Sequence, residues 1–154
     1  MQAEHKEWVD RKYPNQPPEI PAAGCVEEAG ELLHAVLKLQ QIGLWGEDAR
    51  YTVIQSRANL VDAIGDCGIY ACSLCNANEW DFEEIWRTPR YYNEGRAVLQ
   101  LAVELVAAAA HMAALPKSRA GLCEYVARLK SVAHAMGIDA TTAVEVTWTK
   151  VRER

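Results

Sequence analysis

The 154-residue sequence carries almost no β signal: no alternating Val, Ile and Thr run is bounded by a hairpin dipeptide such as Asn-Gly. That excludes sheet-based folds and leaves helices. It also lacks an excess of positive charge. At a net charge of −5 there is no basic stripe of Lys and Arg to displace counterions, so nucleic acid is not an expected partner. The N-terminal "MQAEHKEWVD" has no apolar leader region, and the five cysteines are odd in number and scattered. A reducing cytoplasm is therefore expected. The one long apolar run, 97–115, is interrupted by Gln100, Glu104 and His111, which reads as a bundle helix and not as a membrane span.

Half of the residues are apolar, enough for one well-packed domain of all-α class and too few for two. Periodicity and capping residues place helices at 4–12, 22–41, 51–77, 94–115 and 118–136, with a last one from Asp139 to the C-terminus. The four prolines of "YPNQPPEIP" hold the chain extended before the second helix, Pro116 splits the fourth from the fifth, and Asp81 caps a short turn.

Two of these helices carry acids where a core-forming helix should not. In "GCVEEAGELLHAVLKLQ", Val26, Ala29, Leu32, Leu33, Val36, Leu37 and Leu39 cover well over half of the circumference. Glu27, His34, Lys38 and Gln41 form a narrow polar strip, whereas Glu28 falls inside the apolar arc and Glu31 on its edge. An ionised carboxylate in such a place needs a cation or hydrogen-bond donors, and this helix has no Arg. On the third helix Gln55, Asn59, Asp62, Asp66, Tyr70 and Ser73 make one stripe with no cation in it, whereas solvent faces of helices usually mix Lys with Glu. Oxygen-only ligands from two facing helices suit Mg²⁺ or Mn²⁺ and, with them, attack on a nucleotide phosphate.

Other constellations are incomplete. Glu31 and His34 have the Glu-x-x-His spacing of ferritin-like iron sites, but none of His5, His111 or His134 completes a second pair. Cys72 and Cys75 form a lone Cys-x-x-Cys, which reads as helix packing. No Walker-type loop and no His-Asp dipeptide occurs, and Ala23-Gly24 stands where a Nudix box has Arg-Glu. The competing class is a non-catalytic helical interaction module whose acids are solvated.

"VEEAGELLHAVLK" resembles the Glu-Glu-x-x-Glu helix of the MazG-like all-α nucleoside triphosphate pyrophosphohydrolases, and "LVDAIGDCGIYACSLCNANEWDFEEI" resembles their Gly-Asp helix. "KYPNQPPEIPAAG" is similar to the segment before the first acidic helix in phage-type members, and "VEVTWTKVRER" to the closing helix. The resemblance implies one MazG-like domain over 1–154, with an expanded helical segment at about 87–133, assembled as a homodimer or tetramer. It implies hydrolysis between the α and β phosphates to a monophosphate and pyrophosphate, with two or more Mg²⁺ or Mn²⁺ ions. Glu28, Glu31 and Asp66 match metal ligands, and Glu27 a ligand or the base that orients water. Tyr70 matches a nucleotide-facing position and Lys150 a phosphate-reaching one, with Trp8, Lys12 and Asn15 on the nucleoside side. One departure stands out: the usual Glu-x-x-Asp is broken by Ala63, and the acid is Asp62, one position earlier, which an i, i+4 spacing keeps on the same face. The phage-type look, within the branch called MazZ, points to dGTP as substrate in a host cytoplasm. A pyrimidine deoxynucleotide, dCTP or dUTP, or a broad house-cleaning specificity, is the alternative.

Overall fold

The computed structural model describes residues 1–47, 52–91 and 95–153. Among these residues there are seven helices and no strand: α1 (Gln2–Lys12), α2 (Glu19–Trp45), α3 (Val53–Ala77), α4 (Phe82–Trp86), α5 (Val98–Ala114), α6 (Arg119–Ala135) and α7 (Ala140–Arg152). The all-α expectation is correct. The expected helix starts at Tyr51 and Glu94 lie outside the described residues.

Caps set most of the boundaries by taking up amide N–H groups that have no partner within the helix. Thr52 Oγ1 accepts from Gln55 N at 3.1 Å, Asp81 from Glu83 N and Glu84 N, Ser118 from Gly121 N, and Asp139 from Thr142 N at 2.7 Å. Helix α2 departs from expectation at both ends. It already begins at Glu19, with Pro21 in its first turn, where a missing N–H breaks no helical bond. It runs past the expected Gln41 to Trp45 and stops at Gly46, whose φ of 85° leaves the helical region.

α2 and α3 form a long antiparallel hairpin, and each gains a second neighbour, α5 along α2 and α7 along α3. The register of α7 is legible residue by residue: Val144 faces Gly68, Thr147 faces Gly65, and Lys150 pairs with Asp62. The two helices are therefore antiparallel. A Cβ at Gly65 would lie 1.9 Å from Thr147 Oγ1, and one at Gly68 2.1 Å from Val144 Cγ2. Mid-helix glycine costs up to about 1 kcal/mol relative to Ala, and here it lets α7 close against α3.

α5 and α6 pack together, and α5 also packs along α2, so both helices belong to the chain's own core. Leu101, Leu105, Met112, Leu122, Tyr125 and Leu129 are fully buried, and burying a side chain of this size contributes about 1.5–3 kcal/mol. The Tyr125 hydroxyl donates to the Cys67 carbonyl at 3.4 Å, tying α6 to α3. Among the described residues no helix is long and apolar enough to cross a membrane. Cys72 and Cys75 are free and buried, and burial pushes the Cys72 thiol up to about 12. These thiols pack, as expected of a lone Cys-x-x-Cys.

α1 lies across α3 and α7 through His5, which is buried. Its Nδ1 accepts from Asn76 Nδ2 at 3.0 Å and its Nε2 donates to Ser73 Oγ at 3.3 Å, which in turn donates to the Ile69 carbonyl at 3.1 Å. The His5 ring meets Trp148 edge-on at 5.1 Å. Ser73, the last member of the polar α3 stripe, is thus covered by α1 and not by solvent.

Candidate active site

The two acidic stripes meet. Glu27, Glu31, Asp62 and Asp66 line one cleft of about 510 Å³ between α2 and α3, and Ala63, at the place of the missing acid, lines it too. Glu28 is half-buried, as its place in the apolar arc of α2 requires. Its carboxyl is held up at about 7, by burial first and then by the charges of Asp66, Glu31, Glu27 and Asp62. Five carboxylates from two helices share one field, although Glu27, Glu31 and Asp62 are individually exposed.

A cation reaches the cluster from α7: Lys150 Nζ donates to Asp62 Oδ1 at 2.7 Å. Both side chains are about half exposed, at 53% each, so the pair contributes at most about 1 kcal/mol. The lysine stands beside the acids, and its ammonium has three donors, of which Asp62 Oδ1 takes one.

The donor set fits a hard divalent cation, since it is all oxygen and its mutual repulsion is relieved by positive charge. Among the described residues, no three His, Cys, Asp or Glu side chains are arranged as a ready-made metal cage. Asp62 is paired with Lys150.

The expected nucleoside-side residues divide into two groups. Tyr70 stands beside the acids: its phenol is pushed above its usual range by burial first, then by the charges of Glu28, Glu27 and Asp66. Its ring covers Gly24 so closely that a Cβ there would lie 2.1 Å away. Trp8 packs edge-on against Trp148 and Tyr13, with the Lys12 ammonium 5.2 Å from its ring centroid. Asn15, at φ 58°, lines a separate hollow of about 440 Å³ with Lys6, Asp10, Ser73 and Asn76. It is not brought to the acid cleft.

Four polar cleft residues were not among the expected site residues: His34, Lys38, Ser56 and Asn59. Three of them had a signal, since His34 and Lys38 share the polar strip with Glu27, and Asn59 is on the α3 stripe. Ser56 lies off that stripe and had none.

His5 and Glu28 predict opposing pH dependences. Burial lowers the His5 pKa from 6.5 to about 4, so the unfolded chain takes a proton that the native state refuses, and stability falls as pH drops from 6.5 towards 4. Glu28 is raised from 4.5 to about 7, so its contribution is full below 4.5 and is lost as pH rises through 7. The two offset each other in the wild type. In Glu28→Gln only the His5 limb remains, and urea unfolding should show a loss of about 2–3 kcal/mol between pH 7 and 4.5. Adding His5→Gln should flatten it. An unchanged slope would mean that His5 is accessible to protons in the native state.

Set beside known proteins, the chain matches no protein-family model, no curated protein and no solved structure.

Proposed function

We propose that this chain is a metal-dependent nucleoside triphosphate pyrophosphohydrolase of the MazG-like kind. The observation that carries the reading is the Glu28 carboxyl, held at about 7 among four other acids on two facing helices that border an open cleft. Glu27, Glu31, Asp62 and Asp66 line that cleft from both helices, and acids gathered at a cleft mark sites where charge is compensated by a ligand. Glu28, Glu31 and Asp66, joined by Asp62, would hold Mg²⁺ or Mn²⁺, two or more per site. When bound, these ions supply neutralisation of phosphate charge and Lewis-acid polarisation of the phosphoryl oxygen.

In the reaction the oxygen of one water bonds to the α phosphorus, and the bond from that phosphorus to the α–β bridging oxygen breaks. The electron pair leaves on pyrophosphate, and the water proton passes to Glu27, an exposed carboxylate on the cleft wall. Lys150 offers its ammonium to phosphate oxygens from the α7 side, and the half-buried Tyr70 flanks the acids as a wall for the nucleoside. Tyr13 lies between this wall and Trp8, meeting the Trp8 ring edge-on and standing near Tyr70. A homo-oligomer is part of the reading, supported by Leu44, Trp45 and Ile54, which are 73–83% exposed around the α2–α3 connection.

The experiment is turnover of dGTP, dATP, dCTP, dTTP and dUTP with Mg²⁺ or Mn²⁺, with products separated. We expect monophosphate and pyrophosphate, with dGTP preferred. Release of orthophosphate overturns α–β cleavage, a flat or pyrimidine-biased profile overturns the dGTP assignment, and no turnover with any metal favours the interaction module. Asp62→Asn should weaken Mg²⁺ binding by about 10-fold while moving stability by no more than about 1 kcal/mol. Unchanged metal affinity would remove Asp62 from the site.

A further inference from the structure

Among the described residues, the acids that line the cleft, Glu27, Glu31, Asp62 and Asp66, lie away from the α2–α3 connection. Because α2 and α3 run antiparallel, Lys38 on α2 lies at the same end as Ser56 and Asn59 on α3, whereas Glu27 and Asp66 mark the other. Ser56 is the informative residue. It lines the cleft, is 1% exposed, and its hydroxyl has no hydrogen-bond partner, while its backbone N–H is already bonded to the Thr52 carbonyl at 2.9 Å. A buried hydroxyl left without a partner is unfavourable, and a turn about the Cα–Cβ bond would bring it to the cleft that the residue lines, where a ligand would complete it.

The surroundings say what kind of ligand. Ser56 lies in the first turn of α3, at the positive end of a 25-residue helix. The Lys38 ammonium stays at this end, donating to Gln41 Oε1 at 3.1 Å, and His34 lines the same wall. The one carboxylate described at the tip, Glu47, is already engaged by the Val53 N–H at 2.9 Å. Hydroxyl, ammonium and amide side chains together suit a polyphosphate anion.

Resting on the reading of the acids as the site of α–β cleavage, we infer that the Ser56–Lys38 end holds the leaving pyrophosphate. The substrate then lies in one direction along the hairpin: its β and γ phosphates point towards the α2–α3 connection, the α phosphorus lies over the carboxylates, and the nucleoside lies towards Tyr70. Ser56 and Lys38 are binding residues for the leaving group and read no base. The rival arrangement is the reverse one, with the base edge on Ser56 and Asn59.

Product inhibition separates the two, using pyrophosphate and the monophosphate product as competing inhibitors in the presence of Mg²⁺. Ser56→Ala and Lys38→Gln should each raise the inhibition constant of pyrophosphate about 10-fold and leave that of the monophosphate within about 2-fold. If the monophosphate constant rises and the pyrophosphate constant does not, the direction is reversed and the inference is overturned. It is equally overturned if neither constant moves in either variant. Lys38 is half-exposed, so its variant stands should Ser56→Ala fail to fold. If the wild type turns over no triphosphate, the parent reading fails, and calorimetric titration with magnesium pyrophosphate decides the site alone. Binding to wild type that weakens about 10-fold in Lys38→Gln keeps the anion site, and no binding to wild type removes it.

Discussion

Glu28→Gln is expected to take turnover to background, a loss on the order of 1,000-fold, and at the same time to stabilise the metal-free protein. The two effects have one cause. Glu28 is half-buried, and its carboxyl is raised to about 7 by its own burial and by the charges of Asp66, Glu31, Glu27 and Asp62. At pH 8 the folded protein keeps that carboxylate ionised against both penalties. An amide of the same shape removes the charge, and with it the repulsion and the capacity to bind a divalent cation. After discounting for solvent screening, the relief is about 1–2 kcal/mol, read as a rise in melting temperature of about 2–8 °C without added metal. Adding Mg²⁺ should stabilise the wild type and not the variant, because only the wild type gains a bound ion. A variant that melts lower than wild type but keeps its specific activity would make Glu28 a structural acid and end the catalytic assignment.

Gly65→Ala is expected to be the most damaging single-methyl change in the chain. The new Cβ meets Thr147 Oγ1 at 1.9 Å and the Ala143 carbonyl oxygen at 2.8 Å, and the second contact is backbone, which no rotamer change relieves. α7 must move off α3. Overpacking of this kind costs about 2–3 kcal/mol, equivalent to about 4–12 °C in melting temperature for a chain of this length. Because Lys150 and Asp62 pair one helical turn further along the same interface, activity at low temperature should fall as well. Thr147→Ala should recover only part of the stability, since the Ala143 carbonyl remains. A change within 1 °C would show that α7 does not close on α3 as tightly as the register here requires.

The 3.6-residue rhythm of apolar residues, the capping Asp81, Ser118 and Asp139, and Pro116 placed the helices before any coordinates did, because periodicity and capping are local. The errors lay at helix ends. Pro17, Pro18 and Pro21 read as a barrier up to Ala22, yet Pro21 is tolerated in a first turn, so α2 begins at Glu19. Glu28 was legible as an acid in an apolar arc, and its half-burial follows from the wheel alone.

Neighbour-dependent features were not legible. His5 gave no sign that it would be buried on Ser73 and Asn76, because its partners lie 68 and 71 residues away. Gly65 and Gly68 were visible as glycines in a helix, but only the approach of α7 explains them. Lys150 was placed on the closing helix, and its pairing with Asp62 depends on the register of α7 against α3. Ser56 is a serine among many until the hairpin closes and leaves its hydroxyl without a partner at one end of the cleft.

By itself the sequence determined the all-α class, most of the helices and the two acidic stripes, since each depends on residues within a few turns of one another. Tertiary structure alone decided that the stripes face each other, that Glu28 is pushed to about 7, and that the cleft has an acidic end and a donor end. Coulomb repulsion, desolvation and hydrogen-bond satisfaction depend on distance in space, and spacing along the chain does not encode the order in which helices pack.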